Sequence, residues 1–139
     1  MMNEQVRKIM TTNPKVASPE QKIDDIVQFM EQNQINQMPV VDAGKLVGMI
    51  TTHDLWKNSR SGKDCKNISE IMSTNPIRLT PLDKVGTAAE LFMDKRFKTL
   101  PVVNLRNELK GVVTSFDVLK QVLKEEYPTP ILYSDVINA

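Results

Sequence analysis

Seven residues written twice constrain this chain more than its composition does. Gly48–Asp54 reads GMITTHD, and 63 positions later Gly111–Asp117 reads GVVTSFD. The duplication extends well beyond this motif. VRKIMTTNPKVASPEQKI (Val6–Ile23) aligns with ISEIMSTNPIRLTPLDKV (Ile68–Val85) at a shift of 62, and MPVVD (Met38–Asp42) aligns with LPVVN (Leu100–Asn104) at the same shift. One extra residue in the turn LRNELK then moves the shift to 63. Residues 6–57 therefore form one unit and 68–124 a second, with 58–67 as linker and 125–139 as a C-terminal tail. A period this long, present only twice, points to two halves packed on each other, because open solenoids generally need three or more repeats.

Each unit reads as strand, helix, strand, strand, helix, which makes the fold class α/β. SPEQ (Ser18–Gln21) offers an N-cap serine, a proline at the first helical position and a glutamine at N3. Ile23, Ile26, Val27 and Met30 follow at helical spacing. In the second unit Thr80-Pro81 opens the helix, and Val85, Ala88, Ala89 and Phe92 form its apolar face. MPVVD and KLVGMI are short Val/Ile-rich runs parted by the turn signal Ala43-Gly44. Pro39 and Pro101 are expected to open their strands, since proline cannot donate to a ladder. The last helix of the first unit is expected over about Asp54–Asn58; that of the second is longer, with Val118, Leu119, Val122 and Leu123 apolar. The tail YPTPILYSDVINA (Tyr127–Ala139) starts with two prolines and is read as a segment that docks on a neighbour. A unit of about 50 residues buries too little surface for comfortable stability alone, so pairing explains the duplication without any ligand.

Composition excludes several function classes. The 139 residues carry 18 basic and 17 acidic side chains, and a net charge of +1 is no footprint for nucleic acid. Cys65 is the sole cysteine and His53 the sole histidine, so neither an internal disulfide nor a Cys/His metal cluster is expected. No apolar run nears the roughly 20 residues of a membrane span. The opening MMNEQVRKIM lacks the apolar core of a secretory signal, so a cytoplasmic location is expected, with no membrane partner.

The repeated motif has two readings. Thr51 with Asp54, and Thr114 with Asp117, have the spacing of capping boxes at helix N-termini. The same atoms suit a nucleoside phosphate. A helix N-terminus attracts phosphate, a threonine hydroxyl can donate to it, and an aspartate can accept from both ribose hydroxyls. The preceding glycine allows another backbone or a ligand to approach closely.

Both units resemble CBS domains, and the pair resembles a Bateman module. The resemblance covers nearly the whole chain. It rests on the lead-ins MTTNP and MSTNP, the PVV strand, and the signature glycine–hydrophobic–any–Thr/Ser–any–any–Asp, which both copies meet. It implies two quasi-symmetric β-α-β-β-α repeats packed sheet to sheet with helices outside. It also implies a regulatory module, not an enzyme, for adenosyl compounds: AMP, ADP, ATP, S-adenosylmethionine or cyclic di-AMP. Signalling to an effector protein and homodimerisation, as half-discs completing a disc, come with it. The family's sharing of pocket residues would place Thr51 and Asp54 with Met72, Ile77, Lys98 and Thr99 in pocket one. Pocket two would hold Thr114 and Asp117 with Met10, Lys15, Asn36 and Gln37. Apolar members would sandwich adenine and the aspartates would hold ribose. Pocket one has an apolar wall at Ile77 and a phosphate cation at Lys98; pocket two has polar Asn36 and Gln37, and Lys15 where a wall is expected. Tighter binding is therefore expected in pocket one.

Other residues take plainer readings. Each lysine also fits a solvated surface position, as do Lys95 and Arg96. His53 stands beside Thr51 and Asp54, within reach of a phosphate, but fits a surface helix position better; Trp56 fits a packing or inter-subunit role, and Cys65 an exposed thiol in a polar linker. No activated nucleophile, metal set or general base stands out, so no cofactor is expected. The competing reading is a ligand-free structural dimerisation module, since helix capping explains the same threonines and aspartates.

Overall fold

The structure, a computed structural model, describes residues 2–126. The expectation for the tail at 127–139 lies outside these residues. The first unit contains α1 (Ile23–Asn33), β1 (Gln37–Asp42), β2 (Lys45–Thr51) and α2 (Thr52–Ser61). The second contains α3 (Val85–Phe92), β3 (Thr99–Val103), β4 (Leu109–Thr114) and α4 (Ser115–Glu126). β1 pairs antiparallel with β2, and β3 with β4, each with a register shift inside the PVV run, between Val40 and Val41 or between Val102 and Val103. Ala43 and Gly44 turn the first hairpin at φ 51° and 82°, the left-handed pair that matches strand twist. In the second hairpin Asn107 takes φ 62°; asparagine tolerates that region better than most residues.

The leading strand of each unit shrinks to one residue. Ala17 bridges Val40 and Leu79 bridges Val102, both in parallel. Prolines at 14 and 19, and at 76 and 81, bracket the two positions and cannot donate to a longer ladder. Pro39 and Pro101 do not open their strands but stand third in them. Ala17 N donates to Pro39 O and Val41 N to Ala17 O. Pro39 thus turns its nitrogen away from β2, where a missing donor breaks no hairpin bond.

Both α1 and α3 start later than local signals indicate. Ser18 N donates to Gln21 Oε1 at 2.8 Å, closing a turn, while α1 begins at Ile23 behind Lys22, whose side chain makes no cap. Likewise Thr80 N donates to Asp83 Oδ2 at 2.7 Å and α3 begins at Val85. The first helical amides find partners elsewhere: Ile23 N donates to Lys66 O at 2.9 Å, Val85 N to Glu4 O at 2.7 Å and Gly86 N to Met2 O at 2.9 Å. Tertiary hydrogen bonds replace the local cap. α2 is longer than expected and runs through Ser61, inside the stretch read as linker. Its last turn is polar, but Ser59 and Ser61 donate to Trp56 O and Asn58 O, and Gly62 ends it at φ 73°.

Those tertiary bonds belong to a reciprocal exchange. The short 3-10 turn Val6–Lys8 packs into the core of the second unit, with Leu79, Val85, Ala88, Leu100, Val102, Val113 and Val118. The matching turn Ile68–Glu70 packs into the first, with Ala17, Ile23, Ile26, Met30, Met38, Val40 and Ile50. Each lead-in then crosses a strand of the other unit's hairpin: Thr11 bridges Val112 and Ser73 bridges Met49. The repeated glycines make room for this. A Cβ on Gly48 would stand 2.5 Å from Ser73 O, and one on Gly111 would stand 2.6 Å from Thr11 O. The close approach foreseen at these glycines is made by backbone. Cys65 is half-buried against the first core and is not an exposed linker thiol.

Candidate functional site

β2 ends at Thr51 and α2 begins one residue later, so the motif sits at a strand-to-helix junction. Its capping box is formed. Asp54 N donates to Thr51 Oγ1 at 3.1 Å, and Thr51 N donates to Asp54 Oδ2 at 3.0 Å. The second copy repeats it, with Asp117 N to Thr114 Oγ1 at 3.0 Å and Thr114 N to Asp117 Oδ2 at 2.9 Å. The cap leaves chemistry in reserve. Thr51 Oγ1 only accepts, so its hydroxyl proton can still be donated, and Asp54 Oδ1 accepts no hydrogen bond among the described residues.

A cleft of about 730 Å³ opens in front of this junction. Thr51 and Asp54 reach it from the first unit; Ile77, Lys98 and Thr99 reach it from the second. Five of the six residues expected in pocket one thus share one cleft. The sixth, Met72, lies behind it against Gly48, its sulfur 2.9 Å from where a Cβ would stand. Asn36 and Gln37, expected in pocket two, line this cleft instead. Of the other pocket-two residues, Thr114 and Asp117 form their cap, Met10 lies against Gly111, and Lys15 Nζ stands 6.0 Å from the centre of the Phe29 ring.

Sequence reasoning missed several walls. His53, placed on a surface helix, lines the cleft, as do Pro76 and Phe97. Phe97 did leave a signal, being the aromatic residue just ahead of the second unit's PVV strand. The cleft also has a cationic rim of Lys95, Arg96 and Lys98. Arg96 is partly matched: its Nη2 lies 2.7 Å from Asp94 Oδ2, and its guanidinium stands 5.4 Å from the Phe97 ring centre. Hydrogen bonds from the Arg96 side chain and backbone hold the Asp94 carboxyl down at about 2. Lys95 and Lys98 form no ion pair among the described residues. The cleft therefore offers a carboxylate oxygen, a free hydroxyl proton, apolar walls at Ile77, Phe97 and Pro76, and unmatched cations. The carboxylate suits ribose, the walls a flat heterocycle, and the hydroxyl and cations phosphate. Among the described residues no helix is long and apolar enough to cross a membrane, and no cluster of three metal-binding side chains occurs.

Comparison with known proteins agrees with this architecture. The family model described as CBS domain matches residues 6–55 and 68–124. The CBS domain-containing protein YhcV of Bacillus subtilis (strain 168) is 31% identical over 123 residues, covering 87% of each chain. Two longer relatives from Methanocaldococcus jannaschii are matched over only 47% of their length. Among solved structures, the CBS domain pair of protein MJ0100, in complex with 5'-methylthioadenosine and S-adenosyl-L-methionine, is 31% identical. It matches with a TM-score of 0.75, over 86% of this chain and 99% of that one. CBSX2 of Arabidopsis thaliana in complex with AMP is 25% identical with a TM-score of 0.78, over 88% of this chain and 98% of that one.

Proposed function

From the premise that this chain belongs to the CBS domain family, we propose that it is a regulatory module that binds an adenosyl ligand in the cleft before Thr51 and Asp54. The ligand class comprises AMP, ADP, ATP, S-adenosylmethionine and cyclic di-AMP. One observation carries the reading: a single cleft gathers Thr51 and Asp54 of one unit with Ile77, Lys98 and Thr99 of the other. The motif alone does not carry it, because capping occupies the same threonines and aspartates. AMP in CBSX2 and S-adenosyl-L-methionine in the MJ0100 pair support the ligand class.

In this reading Asp54 Oδ1 accepts from the ribose hydroxyls, and the Thr51 hydroxyl with the α2 N-terminus receives phosphate. Ile77 and Phe97 flank the base, and Lys98 meets the outer phosphates. Thr114 and Asp117, with Met10 and Lys15, would serve a second, weaker cleft. The module performs no turnover; it pairs with a second copy and passes occupancy to an effector protein.

Calorimetric titration with AMP, ATP, S-adenosylmethionine and cyclic di-AMP tests the proposal. A saturable heat for at least one of them, abolished by excess of another adenosyl compound, is expected. Silence from all four, with an intact dimer, would favour the ligand-free dimerisation module. Conversion of any of them to product would make the chain an enzyme.

A further inference from the structure

The Gln37 side chain does not stay in its own unit. Its Nε2 donates to Arg96 O at 2.6 Å, and its Oε1 accepts from Lys98 N at 2.7 Å and from Thr99 N at 2.8 Å. One carboxamide thereby satisfies two backbone groups of the segment that joins α3 to β3 and the first amide of β3, 59 to 62 residues away in sequence. That segment carries Lys95, Arg96 and Lys98, the cationic rim of the cleft. The segment's other backbone bonds stay inside the second unit: Phe97 N donates to Asp94 O, Arg96 N to Asp94 Oδ1, and Lys98 O accepts from Ser115 N at 3.2 Å. At the corner where the rim meets β3, the Lys98 and Thr99 amides are both taken by Gln37, among the described residues the one tie there from the first unit's side chains. The bond is one-way, because the position matching Gln37 in the second unit is Thr99, whose hydroxyl makes no such contact among the described residues.

We propose that Gln37 is a positioning residue for phosphate. It holds the second unit's cationic segment over a cleft whose threonine and aspartate come from the first unit, and so sets how strongly the cleft prefers phosphorylated ligands. This rests on the nucleotide reading of the cleft. A carboxamide is suited to the task because it both donates and accepts. Its amide bonds bring no net charge, so the phosphate attraction of Lys95 and Lys98 is left undiminished. Of the groups that hold the adenosine end, Asp54 and Ile77 lie outside the held segment and only Phe97 lies within it, so adenosine depends on Gln37 less than phosphate does.

The test compares adenosine, AMP and ATP in the full chain and in the Gln37→Met and Gln37→Ala variants. Methionine keeps the length and apolar stem while removing all three hydrogen bonds. Both variants are expected to lose about tenfold in the preference for ATP over adenosine, the size of one weakened charge-assisted contact. Adenosine affinity should fall by clearly less than ATP affinity, because Phe97 is the one adenosine contact within the held segment. In the ligand-free protein, the Lys98 and Thr99 amides should be protected from hydrogen exchange, and that protection should fall in both variants. An unchanged ATP-to-adenosine ratio, or an equal loss for both ligands, overturns the positioning role while leaving the cleft's function standing. Lys98 and Thr99 amides that exchange freely in the unmodified chain overturn it as well. If the unmodified chain binds none of the three adenosine compounds, the nucleotide reading falls first and the phosphate role falls with it.

Discussion

Asp54 has two carboxylate oxygens, and the proposed function divides them between structure and ligand. Oδ2 closes the cap on Thr51 N at 3.0 Å, and Oδ1 accepts no hydrogen bond among the described residues, which is the oxygen the proposal gives to ribose. Asp54→Asn is therefore expected to weaken adenosine and ATP alike, by about 1.5–3 kcal/mol for a lost charge-assisted hydrogen bond. Asparagine keeps an oxygen for Thr51 N, and the backbone bond to Thr51 Oγ1 survives, so the separate stability cost is the lost charge at the α2 N-terminus, about 0.3–1 kcal/mol. Titration calorimetry reads the first and chemical denaturation the second; unchanged affinity in a folded variant would remove Asp54 from the site. Gly48 and Gly111 test the exchange of lead-ins at the same scale. Alanine at either position meets a carbonyl at 2.5 or 2.6 Å, and overpacking of this kind costs about 1–3 kcal/mol. Thermal melting of Gly48→Ala and Gly111→Ala is expected to show comparable losses, and a neutral result at either would mean that its crossing segment sits further off. At Asp94 the folded carboxyl lies at about 2 against an ordinary 3.8. A lowered value means that its contribution is present above 3.8 and fades as pH falls through about 2. A carboxyl NMR titration should find the low midpoint and its return toward 3.8 in Arg96→Ala; a midpoint indifferent to that change would contradict the pairing.

At the scale of elements, what the sequence made readable was local and what it hid was remote. The Ala43-Gly44 turn, the PVV strands and both Thr–Asp caps follow from neighbours along the chain, and all appear. The starts of α1 and α3 were misread because Ser18-Pro19 and Thr80-Pro81 are good local openers. The amides that would need them are bound instead by Lys66, Glu4 and Met2. The end of α2 was misread because Asn58–Ser61 is polar and carries no periodicity. His53 and Phe97 were missed as cleft walls because the cleft exists only where two units meet. The remote bonds make a prediction. Val6 is fully buried in the second core, and Val6 N donates to Asp83 O at 2.7 Å. Removing residues 2–8 should cost on the order of 3 kcal/mol, from lost burial and orphaned amides together. Hydrogen exchange should show the loss first in α3, β3 and β4, although the deletion lies at the other end of the chain. Protection lost first in α1 and β1 would refute the exchange.

The whole molecule keeps apolar surface uncovered. On α4, Phe116, Leu119 and Leu123 are 67%, 55% and 48% exposed, at helical spacing, and Met93 beyond α3 is 85% exposed. Such a stripe marks an association surface, and twofold closure would let two copies cover it with one self-complementary contact. Light scattering at micromolar concentration is expected to give the mass of two chains, and Leu119→Glu with Leu123→Glu the mass of one. A monomeric unmodified chain would count against pairing. The exchanged lead-ins also bear on how the protein comes into being. The ribosome releases Val6 early, yet its partners Asp83, Val85 and Val113 are made only in the second half of the chain. The first unit, whose borrowed turn at Ile68–Glu70 is made directly after it, can close while the second is still unmade. The opening residues must then wait, unpaired, until the last strand arrives. Synthesis thus runs in one direction, but the second core cannot close without residues made ahead of α1.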